Sequence, residues 1–223
     1  MLWLAVMRVC SLANNIKVIN MKIIVLSGLP LSGKTTYAKK IGPKYNMPLY
    51  ETGTEVLEEV TGRGLDFTPE NIKKVTDECK KISDSYFTER LMKKVDALPD
   101  DIPGVFLSGM RAISEVEVLK NHYGDDNVFV VAFHTSMKTR FNRLNNPDRV
   151  AETTGAKAKE DKLLRDFDNF LARNKKELGY GVGDVMALAD YLISTENVLW
   201  PYATVEQNTI NFEIILREVL KLD

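Results

Sequence analysis

The run Gly28-Leu29-Pro30-Leu31-Ser32-Gly33-Lys34-Thr35 follows directly on the apolar stretch Lys22-Ile23-Ile24-Val25-Leu26-Ser27. This spacing, G-x-x-x-x-G-K-[ST] after a strand-like segment, leaves the chain few options. A strand must end, the backbone must turn tightly where Gly28 and Gly33 carry no Cβ, and a helix must begin. The turn can then aim several N–H groups at one point. The new helix adds its unpaired N–H groups and the positive end of its dipole. Such a loop is built to wrap the phosphates of a nucleotide. On this reading Gly28, Leu29, Pro30, Leu31, Ser32, Gly33, Lys34, Thr35 and Thr36 line an ATP molecule. Lys34 sets an ammonium against the β and γ phosphates, and the Thr35 hydroxyl ligates the Mg²⁺ that bridges them.

The rest of the composition fits one domain. The chain has 223 residues, 44% of them hydrophobic, enough to bury a core without disulfides or metal. Lys+Arg 30 against Asp+Glu 31 gives a net charge of −1, so no nucleic-acid surface is expected. Cys10 and Cys79 lie far apart with no CxxC or zinc spacing, which fits a reduced, cytoplasmic protein. His122 and His134 have no metal-spaced companions, so no structural zinc is expected. Near the start, the apolar stretch Leu2–Met7 is broken at Arg8. It is too short to span a bilayer and is not ordered like a secretory signal. Residues 1–20 are expected to be a poorly ordered extension ahead of a natural start at Met21, with an extra edge strand or partner contact as the alternative.

From Met21 onward short β-branched runs alternate with helical patterns, which predicts an α/β fold. Its parallel sheet has five strands and is covered by helices on both faces. The strands are predicted at Met21–Ser27, Met47–Glu51, Gly104–Ser108, Asn127–His134 and Tyr191–Ser194. Helices are predicted at Lys34–Ile41 and Thr54–Thr61. A long one runs from Pro69, with Thr68 as its cap and an apolar stripe from Ile72 to Val95. Another is capped by the box Ser114-Glu115-Val116-Glu117 and stops at Gly124. Further helices are placed near Ser136–Leu144, Asp161–Leu178 and Thr204–Leu220. The polar interruption Asn145–Lys162 reads as a mobile lid, about residues 145–165 of a single domain 21–223, or as a solvated loop without function. Trp200 reads either as an adenine neighbour or as an aromatic buried against the last helix.

From Met21 to about Asn197 the chain resembles an archaeal P-loop kinase-like family of UPF0200 type, related to dephospho-CoA kinase and nucleoside monophosphate kinases. The resemblance is carried by Val25–Thr35, by Gly62-Arg63-Gly64-Leu65 with Thr68-Pro69-Glu70-Asn71, by Ser108-Gly109-Met110-Arg111, and above all by Arg173–Tyr191. It implies a P-loop NTPase core with an acceptor-binding region after the second strand and an arginine-bearing lid. Arg111 matches the arginine expected near the acceptor's phosphate. Arg149, Arg165 and Arg173 are the lid-region candidates for transition-state charge, because a guanidinium grips phosphate oxygens with two parallel bonds. Of these, Arg111, Arg149 and Arg173 would carry the chemistry with Lys34.

Two departures stand out. The third strand of this family usually ends in Asp-Gly and here ends Ser108-Gly109; Asn174 stands where aspartate is frequent. A serine hydroxyl supplies no negative charge and is no strong base. Glu51, Glu55 and Asp66, in the acceptor region that the resemblance implies, are the acids that could substitute. Two functions therefore stay open. One is a kinase moving the γ-phosphoryl group of ATP to a small acceptor, either a nucleoside monophosphate or a dephospho-CoA-like molecule. The other is a nucleotide-binding module or regulatory ATPase without efficient transfer. A GTPase lacks support, since no NKxD or TKxD element follows the loop. No motif speaks to oligomeric state.

Overall fold

The computed structural model describes residues 21–196 and 204–222; the extension 1–20 and Trp200 lie outside the described residues. Five strands form one parallel sheet in the order β2-β3-β1-β4-β5: β1 (Lys22–Ser27), β2 (Leu49–Glu51), β3 (Gly104–Ser108), β4 (Val128–His134) and β5 (Tyr191–Ser194). The alternation of side chains along each strand divides the core in two. Ile23, Val25, Val105, Leu107, Val128 and Val130 face one way, and Ile24, Leu26, Phe106, Val131 and Phe133 the other. Both faces are apolar because helices cover both, which explains why the strands read as continuous Val, Ile, Leu and Phe.

The first face is covered by α4 (Tyr86–Asp96) and α5 (Ile113–Tyr123), through Leu91, Val95, Val116, Leu119 and Tyr123. The second is covered by α1 (Lys34–Ile41) and the last helix, Val205–Leu220, through Tyr37, Ile41, Phe212 and Leu216. A small satellite core of Val60, Val75, Cys79 and Phe87 joins α2 (Thr52–Gly62) and α3 (Pro69–Ile82) to α4. No helix among the described residues is long and apolar enough to cross a membrane.

Strand positions agree with the sequence expectation within two residues, whereas several helices do not. The predicted long helix from Pro69 is two helices, α3 and α4, because Ser83 takes an extended backbone (φ −154, ψ 134). Its hydroxyl accepts from Ser85 N at 3.2 Å and donates to Glu89 at 2.5 Å, a local alternative to the helical ladder. Thr68 does cap α3, accepting from Asn71 N at 3.3 Å.

At α5 the cap is not Ser114 with Glu117. Glu115 instead accepts the N–H groups of Arg111 and Ala112 at 2.7 and 3.0 Å, one turn earlier.

The stretch 145–162 is not an irregular loop. It folds as α7 (Pro147–Glu152) and α8 (Gly155–Leu164), following α6 (Met137–Asn142). Nor does one helix run from Asp161 to Leu178. The backbone turns out at Asp166, whose carboxylate accepts from Asn169 N at 2.9 Å and starts α9 (Phe167–Gly179). A short α10 (Val182–Ala187) follows Gly181, whose φ of 97 lets the chain reverse; α11 is the helix Val205–Leu220.

Candidate nucleotide and acceptor site

The C-terminal ends of the strands carry the site, and the loop between β1 and α1 is its centre. Gly28 has φ +148, and a Cβ there would stand 2.6 Å from both Phe133 O and Ser32 Oγ. Only glycine fits. Leu31 holds a left-handed conformation, φ 69, that a leucine seldom adopts without help. The help comes from behind the loop. Arg140 Nη1 donates to Pro30 O at 3.2 Å, Arg143 Nη1 to Leu31 O at 2.8 Å, and Thr195 Oγ1 to Ser32 O at 2.6 Å. Ser32 N–H closes the turn on Leu29 O at 3.1 Å. The side-chain oxygens of Ser27 and Ser32 are buried without a hydrogen-bond partner among the described residues. A tight glycine turn ahead of the first turn of a helix, with the orphaned hydroxyls of Ser27 and Ser32 beside it, fits a phosphate chain and its cation.

Lys34 Nζ folds back onto Gly28 O at 3.1 Å. Thr35 Oγ1 donates to Glu51 Oε1 at 2.9 Å, so the hydroxyl that opens α1 meets the carboxylate that closes β2. Glu51 pairs in register with Ser108, the buried last residue of β3. Thr36 follows on α1 and is exposed.

Arg140 and Arg143 were not among the sequence-predicted site residues. Their spacing, Arg140 on α6 and Arg143 just past its end, reads as an ordinary helix surface; the start of α6 is set by Ser136, which accepts from Thr139 N at 3.2 Å. Arg140 is buried, its pKa lowered to about 10 by burial and by the neighbouring Arg143. It is held by Thr135 O at 3.2 Å and Asn174 Oδ1 at 2.6 Å, and its guanidinium lies 5.4 Å from the Phe170 ring centre. Asn174 is thus a neutral partner that, through Arg140, links α9 to the phosphate loop. Burial also pushes the Arg143 guanidinium down, against the opposing pull of Tyr37 and Glu196. Burial works to raise the Glu196 carboxyl, but hydrogen bonds from Thr139 and Ser136 outweigh it and hold it below its usual range.

Beyond β3, Gly109 (φ +101) lets the chain leave the strand hard against Thr52 and delivers Arg111. Arg111 Nε donates to Glu177 Oε2 at 2.6 Å, and Arg173 Nη2 lies 3.1 Å from Glu177 Oε1, so one carboxylate brings these two arginines together.

The other candidates are engaged elsewhere. Arg149 pairs with Asp161 (Nη2–Oδ1 2.8 Å), tying α7 to α8, and Arg165 Nε donates to Leu144 O at 3.3 Å. Glu55 is buried and spent on Arg90 and Lys94, at 3.1 and 2.5 Å, which makes it a structural ion pair within the α2–α4 lobe. Asp66 is exposed in the connection between α2 and α3. Of the three acids anticipated near the acceptor, only Glu51 reaches the phosphate loop's own residues.

Comparison with known proteins supports the same fold. The AAA domain family (AAA_17) matches residues 27–161. The UPF0200 protein of Thermococcus sibiricus is 32% identical over 181 residues, covering 81% of this chain and 89% of that protein. UPF0200 protein PF1294 of Pyrococcus furiosus is 32% identical over 175 residues, covering 78% and 88%. Among solved structures, shikimate kinase from Acinetobacter baumannii in complex with shikimate aligns with a TM-score of 0.52 at 15% identity, over 90% of this chain and 94% of that one. That is a likeness of fold.

Proposed function

The chain belongs to the UPF0200 family, with an AAA domain in a P-loop kinase-like fold, and from that premise we propose that it is a small-molecule kinase. It transfers the γ-phosphoryl group of ATP to an acceptor that is a nucleoside monophosphate or a dephospho-CoA-like molecule. The observation that carries this reading is the contact of Thr35 Oγ1 with Glu51 at 2.9 Å, beside Ser108. It puts a carboxylate where the strand-end serine cannot supply one.

Thr35 would hold Mg²⁺, which when bound offsets charge across the β and γ phosphates. The loop 28–36 wraps the phosphates with its N–H groups, and Lys34 leaves Gly28 O to meet them. Arg111 holds the acceptor's anionic group, and Glu51 accepts the proton of the attacking oxygen. Arg173 stabilises charge on the transferred group, joined by Arg149 from a lid formed of residues 145–165. Positioning and electrostatics then do most of the work, as phosphoryl transfer requires. The same reading makes residues 21–223 one domain and places the protein in the cytoplasm.

A regulatory ATPase is the second reading, favoured by Ser108, a strand end that carries no carboxylate. An acceptor screen separates the two: ADP formation from Mg-ATP is followed with a panel of monophosphates and dephospho-CoA, beside a Lys34→Ala control. Acceptor-dependent ADP that disappears in the control supports the kinase. ADP formed at one rate whatever is added leaves only the ATPase.

A further inference from the structure

Glu177 is buried, with 5% of its side chain exposed, yet it serves two guanidinium groups from different parts of the chain. Arg111 stands beyond β3, next to the Ser108 strand end, and Arg173 stands one turn earlier than Glu177 on α9. Glu160 also pairs with Arg173, Nη2 to Oε1 at 3.4 Å, so two carboxylates balance the two guanidinium groups. Lys80 and Lys176, 5.1 and 5.9 Å from the ring centre of Tyr180, add positive charge beside them, which favours an anion at the open side of Arg111.

The manner of the grip decides what it does. Glu177 takes Arg111 by Nε. Among the described residues no hydrogen bond uses Nη1 or Nη2 of Arg111, the pair that forms a fork for two phosphate oxygens. The rest of Arg111 is already fixed. Its backbone N–H goes to Glu115 at 2.7 Å, and its guanidinium carbon lies 5.6 Å from the Tyr180 ring centre. An arginine held this way has lost its rotamer freedom before any ligand arrives.

We propose that Glu177 is a positioning residue for the acceptor half of the site. It presets Arg111 with its fork open toward an anionic group and holds Arg173 beside it. Naming that group the acceptor's phosphate rests on the kinase reading; the presetting itself does not.

The test uses inorganic phosphate as the probe, titrated calorimetrically into full-length Lys34→Ala protein so that the phosphate loop contributes little. The comparison is with Lys34→Ala carrying Glu177→Gln, which keeps the shape and removes the charge. Phosphate binding is expected to weaken about tenfold, the scale of one charge-assisted contact. Tighter binding would mean that Glu177 merely occupies Arg111 as a counter-ion, and it overturns the proposal. So does unchanged binding, or no binding to either protein.

Glu177→Asp, which keeps the charge but shortens the reach, guards against a misfolded Gln variant. It should also weaken binding, and it should add no further loss in an Arg111→Ala background. In the otherwise wild-type chain the acceptor's KM should rise while the KM for ATP stays put. If the acceptor screen finds no transfer while the phosphate results hold, the kinase reading fails and the role of Glu177 stands.

Discussion

Thr35 and Glu51 are joined by a 2.9 Å hydrogen bond that bridges the first turn of α1 and the last residue of β2. The donor is the hydroxyl that closes the phosphate-loop motif, and the carboxylate that accepts it belongs to the neighbouring strand end. The bond ties the start of α1 to the end of β2.

Replacing Glu51 with glutamine keeps an acceptor for Thr35 but removes the base. Single-turnover phosphoryl transfer should fall by about 10²-fold or more, the usual worth of a positioned general base. ATP affinity, measured by calorimetry, should change little. A variant that transfers at the wild-type rate would remove Glu51 from the chemistry.

Gly28→Ala places a methyl group 2.6 Å from Phe133 O and Ser32 Oγ at a φ of +148. The backbone must shift, at a cost of about 1–3 kcal/mol. Thermal unfolding should register the loss, and ATP binding should drop further than stability alone explains. Wild-type affinity in a folded variant would show that the loop does not need this conformation.

Arg140→Ala removes the donor to Pro30 O, Thr135 O and Asn174 at once. Because those acceptors lie beneath the loop and water replaces the guanidinium poorly, the loss is expected to be about 2–4 kcal/mol. Urea denaturation gives that number. Nucleotide binding should weaken as well, since Leu31 loses part of the frame that holds its strained backbone. A loss confined to stability would separate the frame from the cradle.

Glu196 gives a pH dependence. Its carboxyl is held below the ordinary value of 4.5 in the folded chain by Thr139 and Ser136, despite burial. A depressed folded pKa means stability that is complete above the unfolded value and lost as pH falls through the folded one. The acid limb of stability should therefore steepen below pH 4.5. Glu196→Gln should flatten that limb when urea midpoints are compared between neutral pH and about pH 3. Parallel acid limbs in the two proteins would exclude the linkage.

The phosphate loop was legible because its constraints are local. Gly28 and Gly33 are demanded by backbone angles, and Lys34-Thr35 by the start of the helix, all within one turn of chain. The strands were legible because burial on both faces leaves no room for polar interruption. Helix breaks were harder to read. The apolar stripe of α3 and α4 runs on through Ser83–Ser85, so the sequence pattern carries no sign that Val75 and Cys79 enter the satellite core while Leu91 and Val95 enter the main one. At Asp166 the cap signal was present, but the charged run around it masked the break.

Charged partners were the least legible. Arg140 and Arg143 look like solvated helix arginines, and Glu55, Glu51 and Asp66 look alike as nearby acids, yet one is spent in an ion pair, one meets Thr35 and one is exposed. A charged side chain has no local signature of what it will meet, since its partner arrives from elsewhere in the chain. The sequence by itself determined the cradle and the sheet beneath it, through glycine backbone freedom and continuous apolar strands. Only the tertiary structure decided that Glu51 faces Thr35, and that Arg111 is set by Glu177, 66 residues further along. Packing chooses such pairs by bringing distant segments within about 3 Å, a reach that no spacing along the chain encodes.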